Sequence, residues 1–210
     1  MKSAGKVFII GGGGHGKVVL EALTASGLEV AAFLDKDPKK QDTFLMETPI
    51  LDPDIVLSDV DPATIELAIG IGHVRRGQFE ALKEKGFNFV TIIHPSAIIA
   101  RDVKLGEGAQ LMAGAIVQPG VEIGLNTVLN TGCRIDHDCK IGAHSFIAPG
   151  ATLCGGVNIG ESTHIGAGSV IIENVSMGKN TIVGAGAAVT HNFEHGITAS
   201  GVPARMHKTS

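Results

Sequence analysis

The chain has 210 residues, enough for one large or two small domains, and is 44% hydrophobic and 18% charged, with 29 Gly and neither Trp nor Tyr. A net charge of −4 with both signs dispersed lacks the basic stripe that a nucleic-acid surface needs. No apolar run reaches the roughly 18 residues of a membrane-spanning helix, no secretory signal pattern opens the chain, and three cysteines suit a reducing compartment, so the expected location is the cytoplasm.

Lys6–Ile10 reads as a short apolar strand running into Gly11-Gly12-Gly13-Gly14-His15-Gly16. Lys17–Ala25 then carries apolar residues at helical spacing, and a second strand, Val30–Leu34, ends at Asp35. Strand, glycine turn, helix and strand-end acid make a βαβ unit whose first turn can bring a phosphate against bare backbone at a helix N-terminus. Residues 35–53 are polar, with three possible turns. A third strand, Ile65–Ile69, leads into Gly70-Ile71-Gly72-His73; Arg75–Lys85 reads as a helix closed by Gly86, and Phe89–Ile93 as a last strand. Alternating strands and helices predict a small, Rossmann-like parallel sheet over residues 1–93. About 90 residues leave room for one nucleotide-binding half rather than two, which favours a mononucleotide or nucleotide sugar over NAD.

From Ile99 to Val189 every sixth residue is aliphatic or Met, without an insertion. A period of six fits neither a helix nor a half-buried strand; it fits a hexapeptide β-helix, three hexads closing a triangular coil of 18 residues. Four positions after each inward residue the side chain is usually small or β-branched, as at Ala109, Cys133, Cys139 and Ala151. One position after, Gly is frequent (Gly106, Gly124, Gly142, Gly160), which is read as supplying backbone freedom at the turns. The second domain is expected over residues 94–210, with the tail from His191 breaking the period and covering the solenoid end.

One corner carries chemistry. His137 falls two residues after the inward Ile135, hence on a turn facing out, with Asp138 beside it. Residues 18 apart stack, so Gly155 lies above His137 and offers a backbone N–H one strand spacing, about 4.8 Å, from the ring. That is a base, an orienting acid and an oxyanion donor in one place. His144, His164, His191, His195 and His207 read as surface histidines. No two solenoid histidines are 18 or 36 apart, and the His-x₄-His pair of zinc β-helix enzymes is missing, so no metal is expected. Cys133 and Cys139 point inward, and Cys154 has Asp136 rather than a base one coil below, so no cysteine is well placed as a nucleophile.

The glycine turn, the Ile93-His94-Pro95-Ser96-Ala97 linker, the hexad run, the segment from Asn130 to Cys139 and the terminal Gly201-Val202-Pro203-Ala204-Arg205 resemble the bacterial nucleotide-sugar acetyltransferases, which include bacillosamine and perosamine N-acetyltransferases and sialic-acid O-acetyltransferases. The resemblance implies a left-handed β-helix, a homotrimer, acetyl-CoA in the groove between neighbouring helices, and a role in bacterial surface-glycan or glycoprotein synthesis. It implies His137 as base, with Asp138, Asn130 and Gly155 in the active site. It implies nucleotide-sugar contacts at Gly12, Gly13, Gly14, His15 and Asp35, with Gly72 and His73 on the facing loop. For CoA it implies Gly155, Ala167, Gly168, Ala185, Gly186, Pro203 and Arg205. Relatives often carry Gly-Asn-Asn where this chain has Gly70-Ile71-Gly72-His73, so the sugar and nucleotide stay open. The expected reaction is N-acetylation of a nucleotide-linked 4-amino-4,6-dideoxy sugar. O-acetylation of a sialic acid, an NAD-dependent oxidoreductase and a non-catalytic sugar-nucleotide sensor remain as alternatives.

Overall fold

In a computed structural model, which describes residues 6–72 and 75–207, the chain divides into two compact units, Met1–Pro95 and Ser96–Ser210.

The first unit is built on a six-stranded sheet. Its strands are β1 (Lys6–Ile10), β2 (Val30–Leu34), β3 (Thr43–Leu45), β4 (Thr48–Leu51), β5 (Ile65–Ile69) and β6 (Asn88–Phe89), in the order β3-β4-β2-β1-β5-β6. All neighbours are parallel except the edge hairpin β3–β4. The sheet is therefore mixed rather than all parallel. The hairpin lies in the stretch read as turns, and its own turn places Met46 and Glu47 at positive φ without a glycine to announce it. Helices α1 (Gly14–Ala25), α2 (Pro53–Asp59) and α3 (Arg76–Glu84) complete the unit. α1 begins three residues earlier than its apolar periodicity, because glycines carry no hydrophobic signal. α2 starts at a proline behind Asp52, whose carboxylate accepts from Asp54 N at 2.8 Å. The expected last strand separates into Asn88–Phe89, on β5, and Ile92–Ile93. β1 lies between β2 and β5, so the strand order reverses beside it, and an open sheet of this kind leaves a crevice at its strand ends there.

The second unit is a left-handed parallel β-helix. Strands of two residues recur at every hexad and pair in a register of 18: Val117 with Ile135, Ile135 with Leu153, Leu153 with Ile171. The inward column from Leu111 to Val189 is buried throughout, and Cys133, Cys139 and Ala151 lie in the same core. Burying one such aliphatic side chain stabilises by about 1.5–3 kcal/mol, and each coil buries three. The corner residue at positive φ is the third after each inward position: Gly120, Asn126, Gly132, Asp138, His144 and onward. The glycines one position after the inward residue have another task. A Cβ at Gly124 would stand 2.4 Å from Ala143 N, and one at Gly142 2.5 Å from Glu161 N. They are bare because the next coil passes against them, which corrects the reading of them as flexible turn residues. The tail continues the solenoid in a shortened coil: Ile182 pairs with Thr198 and Val183 with Ala199, two residues short of the usual step. Phe193, Ala199 and Ala204 join the core and close it.

Candidate active site

At the C-terminal ends of β1 and β5 the first unit holds a cavity of about 700 Å³, lined among others by Gly13, Gly14, His15, Asp35, Gly72 and Lys85. The glycines around it divide by physical role. A Cβ at Gly16 would stand 2.4 Å from Gly11 O, and one at Gly70 would stand 2.6 Å from Ile9 Cγ2; Gly11 itself has φ +100°. These three let helix and strands pack. Gly13 and Gly14 have nothing within 4 Å of a built Cβ, so their bareness serves open space. Gly13 precedes α1 without a side-chain cap, which leaves first-turn amides and the positive end of the helix dipole at the cavity.

Gly12 is buried, and its N–H donates to Asp35 Oδ2 at 2.9 Å. It positions Asp35 and lies behind the cavity wall. Asp35 also accepts from Asp37 N at 3.0 Å and Lys40 Nζ at 2.9 Å. Burial pushes its carboxyl up, but the bonds from Asp37, Lys40 and Gly12 outweigh that and hold it below the ordinary carboxylate range. Arg75, fully buried before α3, donates to Ile71 O at 3.1 Å and so steadies the Gly70–Gly72 loop; burial lowers its pKa to about 9. The sequence reading missed this residue. His73 lies outside the described residues.

In the second unit His137 and Asp138 sit on an exposed corner. His137 Nδ1 and Asp138 Oδ2 are 2.8 Å apart, and Asp136 Oδ1 accepts from the His137 backbone N–H, also at 2.8 Å. A carboxylate can only accept, so Nδ1 carries the proton, and in the neutral ring Nε2 holds the lone pair. The Asp138 hydrogen bond first, then the nearby charge of Asp136, raises the pKa of His137 above the ordinary imidazole value. Gly155 is one coil above, as the 18-residue spacing requires: a Cβ there would stand 2.6 Å from both Nε2 and Cε1. Any side chain at 155 would expel the ring. Gly156 N donates to His137 O at 2.9 Å, whereas the Gly155 N–H meets no acceptor among the described residues.

Asn130 is nearly buried, and its Oδ1 accepts from Thr131 N at 2.8 Å, turning the amide to its own corner rather than to His137. Ala167 and Gly168 stack beneath Ala185 and Gly186, joined by Gly186 N to Ala167 O at 2.8 Å, all four exposed. They occupy a different corner of the triangle from His137. Pro203 and Arg205 are exposed on the tail. His144 departs from expectation: it is buried, with Nδ1 2.9 Å from Asn126 Nδ2 in the coil below. The thiols are poor nucleophiles, since burial pushes Cys133 up to about 12 and Cys139 up to about 11 and also raises Cys154. Among the described residues no three His, Cys, Asp or Glu side chains converge to hold a metal ion, and no helix is long and apolar enough to cross a membrane.

Residues 6–82 match the family profile of the PglD N-terminal domain, and residues 156–191 match that of the bacterial transferase hexapeptide, six repeats. The chain is 38% identical to perosamine N-acetyltransferase from Caulobacter crescentus, crystallised with CoA and GDP-perosamine, over 98% of each chain with a TM-score of 0.91. It is 31% identical to the acetyltransferase domain of PglB from Neisseria gonorrhoeae, solved in complex with acetyl coenzyme A, over 98% of this chain and 100% of that one, also at 0.91. A curated relative, UDP-N-acetylbacillosamine N-acetyltransferase from Bacillus subtilis, is 37% identical over 121 residues, and the match spans about half the length of each protein, 51%. At 38% identity over 98% of each chain, the chain belongs to the hexapeptide-repeat family of nucleotide-sugar N-acetyltransferases.

Proposed function

We propose that this chain transfers the acetyl group of acetyl-CoA to the amine of a nucleotide-linked 4-amino-4,6-dideoxy sugar, with His137 as the base and no acyl-enzyme intermediate. The observation that carries the reading is the corner itself: Nδ1 is fixed by Asp138, and Nε2 is left as a proton acceptor against a bare glycine. The amine nitrogen attacks the thioester carbon, and its proton passes to Nε2. The Gly155 N–H meets the oxyanion that forms, and the proton then goes to the departing CoA sulfur. Raised thiol pKa values favour this direct route over a cysteine carrier. The perosamine relative holds CoA and GDP-perosamine in forms with one histidine replaced by asparagine or alanine, in keeping with a base that is not needed for binding.

The sugar nucleotide is assigned to the first unit, its diphosphate at the amides of Gly13, Gly14 and His15. Acetyl-CoA is assigned to Gly155, Ala167, Gly168, Ala185, Gly186, Pro203 and Arg205 on the second. The corner of Ala167 and Ala185 is not the corner of His137, which supports a homotrimer in which a neighbour supplies the second wall of the CoA site. A cytoplasmic location is part of the same reading, supported by acetyl-CoA and nucleotide sugars being cytoplasmic metabolites. The test is CoA-thiol release with acetyl-CoA against UDP-, GDP- and dTDP-linked 4-amino sugars and free sialic acid. Turnover on an amino sugar is expected; turnover on sialic acid alone would move the activity to O-acetylation, and binding without thiol release would make the protein a sensor.

A further inference from the structure

The corner that carries His137 has a second contact below it. Gly120, Asp138, Gly156 and Asn174 follow one another at 18-residue steps, bare and polar residues alternating up the column. A Cβ built on Gly120 would stand 2.5 Å from Asp138 Oδ1 and 3.4 Å from its Cγ. The place of the missing side chain is thus filled by the carboxylate of the coil above. Two coils on, Asn174 Oδ1 fills the same place at Gly156, at 2.6 Å. Asp138 is fixed further by its backbone N–H, which donates to Pro119 O at 3.0 Å, while Gly120 N–H is taken by Asp102 Oδ2 at 3.0 Å.

We infer that Gly120 is a positioning residue for acetyl transfer: its bare Cα is the seat that holds the Asp138 carboxylate on His137 Nδ1. The inference rests on the reading of His137 as the base. The two carboxylate oxygens are one rigid group. With Oδ1 against Gly120, Oδ2 has one direction left, and His137 Nδ1 lies in it at 2.8 Å. A side chain at 120 would push Oδ1 away and turn Oδ2 off the ring. Among the described residues the charged groups facing the imidazole are Asp138 and Asp136, both on its own turn; the coil below presents Pro119 and Gly120, and the coil above Gly155 and Gly156, none of them charged. Losing the Asp138 contact would therefore leave the ring with Asp136 alone.

The experiment is an NMR titration of the His137 imidazole in the full chain, read beside the pH profile of kcat/KM for acetyl transfer. The variants are Gly120→Ala, Asp138→Asn and the two together. Gly114→Ala is the control: Gly114 has the same kind of backbone, φ +69° against +76° for Gly120, but its Cβ would meet an ordinary contact at 3.8 Å. Should Gly120→Ala fail to fold, Gly120→Asn presents the same Cβ on a residue type that this solenoid already carries at positive φ, as at Asn126 and Asn174. We expect Gly120→Ala to lower the His137 titration in the direction of Asp138→Asn, the double variant to move it no further than Asp138→Asn alone, and Gly114→Ala to leave it unchanged. A His137 titration that stays at the parent value in Gly120→Ala, or additive shifts in the double variant, would overturn the inference. A titration that moves while the ascending limb of kcat/KM stays in place would uphold the seat and instead remove His137 as the base.

Discussion

The glycine turn of the first unit offers a separation of fold from function at neighbouring positions. Gly14 and Gly16 are two residues apart in one motif, yet a Cβ at 14 meets open space and a Cβ at 16 meets Gly11 O at 2.4 Å. An ordinary carbon–oxygen contact needs about 1 Å more, and the clashing atom at 16 is backbone, so helix α1 must move off β1. Overpacking of that kind costs about 1–3 kcal/mol. In a unit of under 100 residues each kcal/mol lowers Tm by about 4–8 °C, so Gly16→Ala should melt the first unit roughly 4–24 °C earlier. Gly14→Ala should change Tm by a few degrees at most, because Ala is a better helix residue than Gly and displaces nothing. Its effect should fall on the ligand: a methyl group at the phosphate turn should raise KM for the sugar nucleotide at least tenfold and leave KM for acetyl-CoA unchanged. Calorimetric melting and two-substrate kinetics read both. Equal loss of stability in the two variants, or equal rises in both KM values for Gly14→Ala, would refute the division of the glycines.

Replacing His137 by Ala should lower kcat by about 10²–10⁴ in a steady-state assay while the chain stays folded, since the ring is exposed and outside the aliphatic column. Because His137 acts unprotonated and its pKa is raised chiefly by Asp138, kcat/KM should climb with pH through that raised value; in Asp138→Asn the climb should occur at lower pH, and a fixed limb would remove Asp138 from the pair. Gly142→Ala, whose Cβ would stand 2.5 Å from Glu161 N, should destabilise the solenoid by about 1–3 kcal/mol in chemical denaturation although its φ is not positive. Sedimentation should give a trimer; an active monomer would mean that one chain completes the CoA site.

The solenoid was legible because one short rule, an inward aliphatic every six residues, is repeated without interruption from Ile99 to Val189. The same rule placed Gly155 over His137, since a constant coil length turns sequence separation into height. Four features escaped it for identifiable reasons. The hairpin at Thr43–Leu51 turns on Met46 and Glu47, which carry no turn chemistry. α2 did announce itself through Asp52 and Pro53, a cap followed by a first-turn proline, but its seven residues are too few for periodicity. The task of Gly124 and Gly142 depends on the distance between coils, which composition does not encode. Gly12 and Asp35 were both expected at the ligand, and only the fold separates the residue that meets the cavity from the one that holds it in place.

The unbroken 18-residue step also constrains how such a chain can change length. Removing one hexad between His137 and Gly155 would rotate everything downstream by a third of a turn. The core column would survive, since every hexad brings its own inward residue, but the corner glycines would meet the wrong neighbours and His137 would no longer lie under Gly155. Only gains or losses of a whole coil preserve each residue's face. Kinship in this architecture is therefore written in the phase of the chain modulo 18, and two sequences aligned one hexad out of phase could keep every aliphatic match while sharing no active site.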